Sequence, residues 1–424
     1  MGHPNDNMQL DHTWQFEALE ESGDISRARF ILNRMFQDFR GAFAIRLWNN
    51  SMLYIGEGSP AFTFCLEQAS IVRDMVLSGD PMRLAAAYFD GDIHILGDFN
   101  AAMRLLYHFE ALSLPWHEKM GLVFRALMLA DLEDEDATAP AYSGSAELLS
   151  DAPPAMTLDY EMPADFYRNW LDEQMLHACA YFGDARQPLA QAQHNQLDLV
   201  CLKLHLQHGD HVLDIGGDWG AFACWAARHY GAYVHSITSS PVQYAYIVEE
   251  VKKQRLQKQV SVELCHYQDL PENRPYDKVI NMAMRSHVGQ QHLPAYLAKV
   301  HAILKPGGLF LHHGVTSESA AWQHEMSTEF INQQIFPDGA LPSLPHLQQT
   351  MQAAKFEIFN VEGLRRHQAL TLRRWTEKLE QHHLQLATMA GERTYRLWRL
   401  YMTACAIQFE QGVNGIHQIL AVRR

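Results

Sequence analysis

The stretch HVLDIGGDWG, residues 211–220, holds the residues best suited to chemistry. Val212, Leu213 and Ile215 form the apolar body of a strand, and Asp214 is an acid within it. Gly216, Gly217 and Gly220 then turn the chain, with Asp218 standing where a nucleotide-binding turn usually has another glycine. Glycine serves such a turn because the backbone must bend tightly and come close to a ligand. A helix follows, and its N-terminus favours negative charge, which a pyrophosphate would use. Yet GGDWG is not G-x-G-x-x-G, and Asp218 repels phosphate. A ligand carrying a cationic centre and a carboxylate suits an acidic strand end better. That favours S-adenosylmethionine over a dinucleotide, with a ligand-free strand-end turn as the alternative.

Such a loop must sit on a sheet. Strands are expected at His211–Ile215, Tyr233–Thr238, Ser261–Cys265, Lys278–Met282 and Gly308–His312, with helical patterns such as AFACWAARHY and PVQYAYIVEEVKKQRL between them. This alternation predicts an α/β fold with a doubly wound parallel sheet, whose ligands bind beyond the carboxyl ends of the strands. The chain then leaves the pattern, passing a loop, INQQIFPDGALPS, and a strongly apolar helix, RTYRLWRLYMTACAIQFEQG. Two helices, ADFYRNWLDEQML and PLAQAQHNQLDLVCLKLHL, are expected before the first strand.

At 424 residues the chain is long enough for two domains. Residues 131–157 are acidic and then rich in Pro, Ser and Ala, without apolar periodicity, and read as a linker. The expected division is an N-terminal module over 1–130, the linker, and a catalytic domain over 158–424. In the N-terminal module AFAIRLWNNSMLYIGEG reads as two strands around an Asn-Asn turn, and FTFCLEQ adds a third. Helices interrupted at Gly91 and Gly97 follow. This half holds no catalytic constellation and reads as a binding or assembly module.

Hydrophobic residues make up 47% of the chain and charged residues 20%, a globular composition. The net charge of −15 repels nucleic acid and anionic lipid overall. The basic cluster RRHQALTLRRW, 365–375, is either an exposed helix face or a lipid or partner contact. Six scattered cysteines without C-x-x-C, and histidines without H-E-x-x-H, argue against structural zinc and a disulfide framework. No apolar run approaches the ~20 residues of a membrane span. The reading is cytoplasmic, or peripheral on the inner membrane.

Several segments resemble the cyclopropane-fatty-acyl-phospholipid synthase family. VLDIGGDWGAFACWAARHYGA is similar to its VLDIGCGWG loop and helix, and SHVGQQHLPAYLAKVHAILKPGGLFLHH to its EHVG…LKPGG run. IFPDGALPS resembles its I-F-P-G/N-G-x-L-P-S loop, YMTACAIQFEQG its C-terminal helix, and FAIRLWNNSMLYIGEGSPAFTF its N-terminal half. The resemblance covers nearly the whole chain. It implies a class I methyltransferase fold behind a small N-terminal α/β lipid-binding domain, a homodimer, and phospholipid acyl chains at the membrane surface as substrate. It also implies S-adenosylmethionine as methyl donor and a bound bicarbonate ion as base.

Carried over by motif, the resemblance places a catalytic set at Cys179 in HACAYF and His313 in FLHHGV. Ser286 in RSHVG stands where the family has glutamate, and Gln368 in HQALTL where it has tyrosine. Ser and Gln can hydrogen-bond an anion but supply neither a carboxylate's charge nor a phenol's acidity. The cofactor set is Asp214, Gly216, Asp218 and Gly220 on the loop, Thr238, Ser240 and Gln243 after the second strand, and His266, which replaces a family aspartate. His177 and Ala178 replace a Tyr-Ser pair. Two functions are implied: a divergent lipid methyltransferase acting on unsaturated acyl chains, or a non-catalytic member that binds lipid or regulates an active synthase.

Overall fold

The computed structural model describes residues 23–78, 81–129, 162–273, 275–282, 290–318 and 341–424. Two compact units divide them, residues 23–87 with 92–129 and residues 88–91 with 162–424. The linker expected at 131–157, the loop segment 335–340 and Ser286 lie outside the described residues.

The N-terminal unit is built on a four-stranded sheet of order β2-β1-β3-β4, formed by β1 (Phe43–Arg46), β2 (Met52–Ile55), β3 (Phe62–Leu66) and β4 (Ile93–Gly97). The expected β1–β2 hairpin is present, with Asn50 in the left-handed region at φ 64°. Asn tolerates that conformation better than most residues. Around the sheet lie α1 (Gly23–Phe36), α2 (Ala69–Leu77), α3 (Pro81–Asp90), α4 (Phe99–Ala102), α5 (Arg104–Ala111) and α6 (Trp116–Leu127). The helices are interrupted at Gly91 and Gly97 as expected, and the segment between the two glycines is a strand, β4, pairing antiparallel with β3. Both glycines have φ near 95°, which halts a helix and suits a strand's ends. Phe43 anchors the core, its ring 4.9 Å from Phe62 and 5.2 Å from Phe36.

The second unit contains the doubly wound sheet. Its order is β10-β11-β9-β8-β5-β6-β7. The strands are β5 (His211–Ile215), β6 (Tyr233–Thr238), β7 (Val260–Leu264), β8 (Tyr276–Asn281), β9 (Leu304–Ser317), β10 (Phe356–Gly363) and β11 (Asn414–Arg423). Strands β5 to β9 are mutually parallel, while β11 is antiparallel to both β9 and β10. The chain was expected to leave the strand pattern after the fifth strand. Instead β10 and β11 complete one edge of the sheet.

Helices α7 (Ala164–Arg168), α8 (Leu189–Lys203), α9 (Ala221–Tyr230), α10 (Pro241–Lys253) and α11 (Leu293–Ile303) precede or cross between strands. Helices α12 (Leu344–Ala353), α13 (Arg365–Gln381), α14 (His383–Ala390) and α15 (Glu392–Gln411) complete the unit. The helix expected over ADFYRNWLDEQML stops at Arg168. Beyond it the buried Asp172 carboxylate accepts the backbone N–H groups of Gln174 and Leu176, holding a turn instead of a helix.

Successive β5 residues point to opposite faces, and both faces are buried, as a parallel sheet between helix layers requires. Val212, Leu311 and Leu420 pack among residues of α8, α9 and α10. Leu213, Phe310 and Ile419 pack on the other face with residues of α11 and α12. By the same alternation Asp214, His313 and Gln418 share the α8 face. The basic 365–375 cluster is one flank of α13: Arg373 reaches both Glu410 oxygens at 2.8 Å, while Leu372 and Trp375 are buried.

Candidate active site

The loop after β5 is closed by its own backbone and by α10. Gly216 and Gly217 both donate N–H to the carbonyl of Ile237 on β6, at 3.0 and 2.9 Å. A Cβ at Gly217 would run into the Ser236 hydroxyl, and one at Gly220 would lie 2.8 Å from Ile247 of α10. Glycine is therefore required at both places by close approach. Asp218 sits at φ 46°, the left-handed conformation a glycine would adopt freely.

The Asp218 carboxylate has a defined partner: Gln243 Nε2 donates to its Oδ1 at 2.8 Å. Thr238 Oγ1 donates to Gln243 Oε1 at 2.8 Å, and Ser240 caps α10 by accepting the Gln243 N–H. Three members of the expected cofactor set, Asp218, Thr238 and Gln243, are thus one hydrogen-bonded chain, with Ser240 at its foot. Asp214 lies behind them, buried, accepting from the Ser236 hydroxyl at 3.1 Å. Burial pushes its carboxyl up to about 7, against the smaller opposing effect of that bond. His266 stands at the carboxyl end of the neighbouring β7. Its Nδ1 is 3.5 Å from the Gln268 N–H and its ring lies against Tyr267, so its contacts are to its own turn.

Trp219 carries the loop into an aromatic cluster. Its ring is 4.9 Å from Tyr167 and 5.2 Å from Tyr246. The buried His177 ring lies 5.4 Å from Trp170, 5.2 Å from Trp375 and 5.7 Å from Tyr167. The residues before the expected catalytic cysteine therefore meet the cofactor loop through apolar and aromatic surface. Two acids, neutral hydroxyl and amide groups and this cluster form a set that fits a cationic, amino-acid-bearing cofactor.

Cys179 is fully buried in the segment between α7 and α8, and burial pushes its thiol up, so it remains a thiol. The segment is pinned from two sides. On one, Gln193 of α8 donates to the carbonyls of Leu176 and Ala178, at 3.2 and 3.1 Å. On the other, Thr371 of α13 accepts the Ala180 N–H at 3.0 Å. Gln368 is buried on α13, one turn before Thr371.

His313 is buried on β9. Gln196, one turn after Gln193 on α8, approaches its Nδ1 at 3.4 Å, and Gln418 of β11 donates to the same Nδ1 at 3.0 Å. Burial first, then neighbouring His312, Lys203 and His417, drives the imidazole down to about 3, so it is neutral at physiological pH. Its Nε2 has no hydrogen-bond partner among the described residues. Helix α8 thus joins two expected catalytic positions, Cys179 through Gln193 and His313 through Gln196. Ser286 cannot be placed among them, since it lies outside the described residues. Sequence reasoning missed Gln193 and Gln196. Their signal was present: both are polar residues on the helical stripe of Leu189, Ala192, Leu197 and Val200, which faces the core.

A family model described as mycolic acid cyclopropane synthetase matches residues 151–419. The chain belongs to that family. It is 34% identical over 381 residues to a probable fatty acid methyltransferase of Pseudomonas putida, covering 89% of this chain and 91% of the relative. It is 30% identical over 269 residues to cyclopropane mycolic acid synthase 1 of Mycobacterium tuberculosis, covering 61% of this chain and 93% of that one. Among solved structures, the mycolic acid cyclopropane synthase CmaA1 complexed with SAH and CTAB aligns with TM-score 0.60 at 28% identity, over 63% of this chain and 97% of that one. The fold is that of the S-adenosylmethionine-dependent methyltransferases of this family, with S-adenosylmethionine as cofactor. No helix among the described residues is long and apolar enough to cross a membrane.

Proposed function

We propose that this chain methylates unsaturated acyl chains of phospholipids, forming cyclopropane or methyl-branched fatty acids. S-adenosylmethionine, when bound, supplies an electrophilic methyl group to the alkene, and the acyl chain must then lose a proton. Asp218 on the loop and Asp214 buried behind it are the acids that would lie beside the bound cofactor. Thr238, Ser240 and Gln243 hold the loop against α10, and His266 marks the rim. Tyr167, Trp170, Trp219 and Trp375 are buried together beside the loop and would keep water from the reacting groups.

The observation that carries the reading is His313. A neutral imidazole, buried and with one ring nitrogen unpartnered among the described residues, is held for a ligand that is absent from the protein itself. Its bonded nitrogen already accepts from Gln418, so the other carries the proton. His313 is therefore a donor that holds an anionic base in place, not the base itself. Bicarbonate fits that donor, with Gln368, Ser286 and the backbone of Cys179 as the remaining shell. The exposed stripe Trp116, Met120, Phe124 and Leu127 on α6 supports a further proposal, that the protein works as a homodimer at a phospholipid surface.

The test is expression in a host lacking its own synthase, with lipid analysis by mass spectrometry. New cyclopropane or methyl-branched chains support the reading. Cofactor binding without product would favour the non-catalytic alternative, a member that binds lipid or regulates an active synthase.

A further inference from the structure

Three residues lie in one row across the sheet edge. Glu362 of β10 pairs with Gln418 of β11, which pairs with His313 of β9. Lys203, at the last turn of α8, reaches into this row. Its ammonium is paired with Glu362 and donates to Gln418 Oε1 at 2.6 Å. We infer that Lys203 and Gln418 are positioning residues that fix the protonated ring nitrogen of His313, so that Nε2 carries the N–H offered to a bound anion. The inference rests on the proposed function for what that N–H meets, but not for the geometry.

The reasoning turns on a property of lysine. An ammonium only donates, so the Gln418 oxygen must face Lys203 and the amide NH₂ must face His313. An amide rotated the other way would oppose two donors across 2.6 Å. The NH₂ group then needs an acceptor at His313, and only a bare Nδ1 provides one, 3.0 Å away. The proton goes to Nε2. Gln196 Nε2, at 3.4 Å from the same Nδ1 and 3.7 Å from the Met282 sulfur, points a second amide donor the same way. Glu362 holds the Lys203 ammonium along the row. The lysine is mostly covered, with 14% of its side chain exposed, so the chain is not free to swing into solvent.

The arrangement explains a polar row within the packed face of α8. Lys203 lies seven residues after Gln196 and ten after Gln193, so all three share one side of the helix. The first two position His313 and the third the cysteine segment.

The test reads the tautomer directly. The full chain is labelled with ¹⁵N-histidine, and the His313 ring signals are assigned by their loss in His313→Gln. In the parent, Nε2 is expected to be protonated and Nδ1 bare. Gln418→Glu puts a carboxylate beside Nδ1 and is expected to move the proton there. Lys203→Met releases the amide and is expected to give a mixture of tautomers. Product formation is expected to fall tenfold or more in both variants, with cofactor affinity unchanged. If Lys203→Met does not fold, Gln418→Glu alone decides. A parent with Nδ1 protonated, or a folded Gln418→Glu with the proton still on Nε2, overturns the inference. A parent that shows the expected tautomer but makes no product overturns the proposed function and leaves the tautomer device standing.

Discussion

Asp218 and Gln243 are bonded to each other, carboxylate to amide across 2.8 Å, at the turn where the family resemblance implies glycine. The acid has a hydrogen-bond partner of its own in α10. It still holds a left-handed backbone that costs a non-glycine residue about 1 kcal/mol or more. It also places negative charge near any bound carboxylate.

Asp218→Gly is expected to tighten S-adenosylmethionine binding several-fold, measured by calorimetry. Asp218→Ala keeps the strain but loses the Gln243 bond and the charge, so it should lower stability by about 1 kcal/mol and give only part of that gain. Equal affinities in the parent and the glycine variant would show that Asp218 neither strains the loop nor opposes the cofactor.

Much of this loop was legible in the sequence. The strand, the acid and the three glycines announced themselves, because a parallel strand buried on both faces is an apolar run and its exit turn needs glycine. The partner of Asp218 was not legible, since a side-chain bond between loop and helix leaves no periodic trace. Strands β10 and β11 escaped for a related reason. FEIFNVEG mixes acids with apolar residues, and NGIHQILAVR begins two residues after the left-handed Gly412 that ends α15, with no separate turn signal. The His313 row depends on register between these two strands, so it could not be found before the strands were.

His313 should set part of the acid stability of the fold. Its folded value of about 3 lies below the ordinary histidine value of 6.5. Between those values the unfolded chain binds the proton and the folded chain does not. Stability from this residue is therefore complete above about pH 6.5 and declines as pH falls toward 3. At pH 5 the loss is about 2 kcal/mol, and His313→Gln should remove it. Urea melts of both proteins at pH 5 and pH 7 give the answer. An unchanged pH dependence in the variant would mean that the imidazole is not held neutral.

Asp214 should act in the opposite sense. Burial raises it to about 7, so the folded chain keeps the proton that the unfolded chain has released above the ordinary aspartate value of 3.8. Its contribution is complete below about pH 4 and is lost as pH rises through 7. Asp214→Asn is expected to be near neutral at pH 4.5 and stabilising by a few kcal/mol at pH 8, read from the same melts. A cationic cofactor favours the ionised acid, so parent affinity should rise as pH passes 7, and the variant's should not. A variant destabilised equally at both pH values would sink the buried-acid account.

The combination Ser286→Glu with Gln368→Tyr should raise cyclopropane formation above the parent's level. In the proposed shell His313, Ser286 and Gln368 offer an anionic base only neutral groups. A carboxylate at 286 and a phenol at 368 would supply the charge and acidity that the family resemblance implies. General-base catalysis is typically worth ~10²–10⁴-fold, so a restored shell should be visible above background. Either change alone should do little, because groups that hold one ligand act as a unit. Gln368 is fully buried, and the larger tyrosine there is expected to cost about 1–3 kcal/mol by overpacking. The melting temperature must therefore be measured beside the lipid products. A double variant that folds, binds S-adenosylmethionine and makes no more product than the parent would show that Ser286 and Gln368 serve a site rebuilt around a different base.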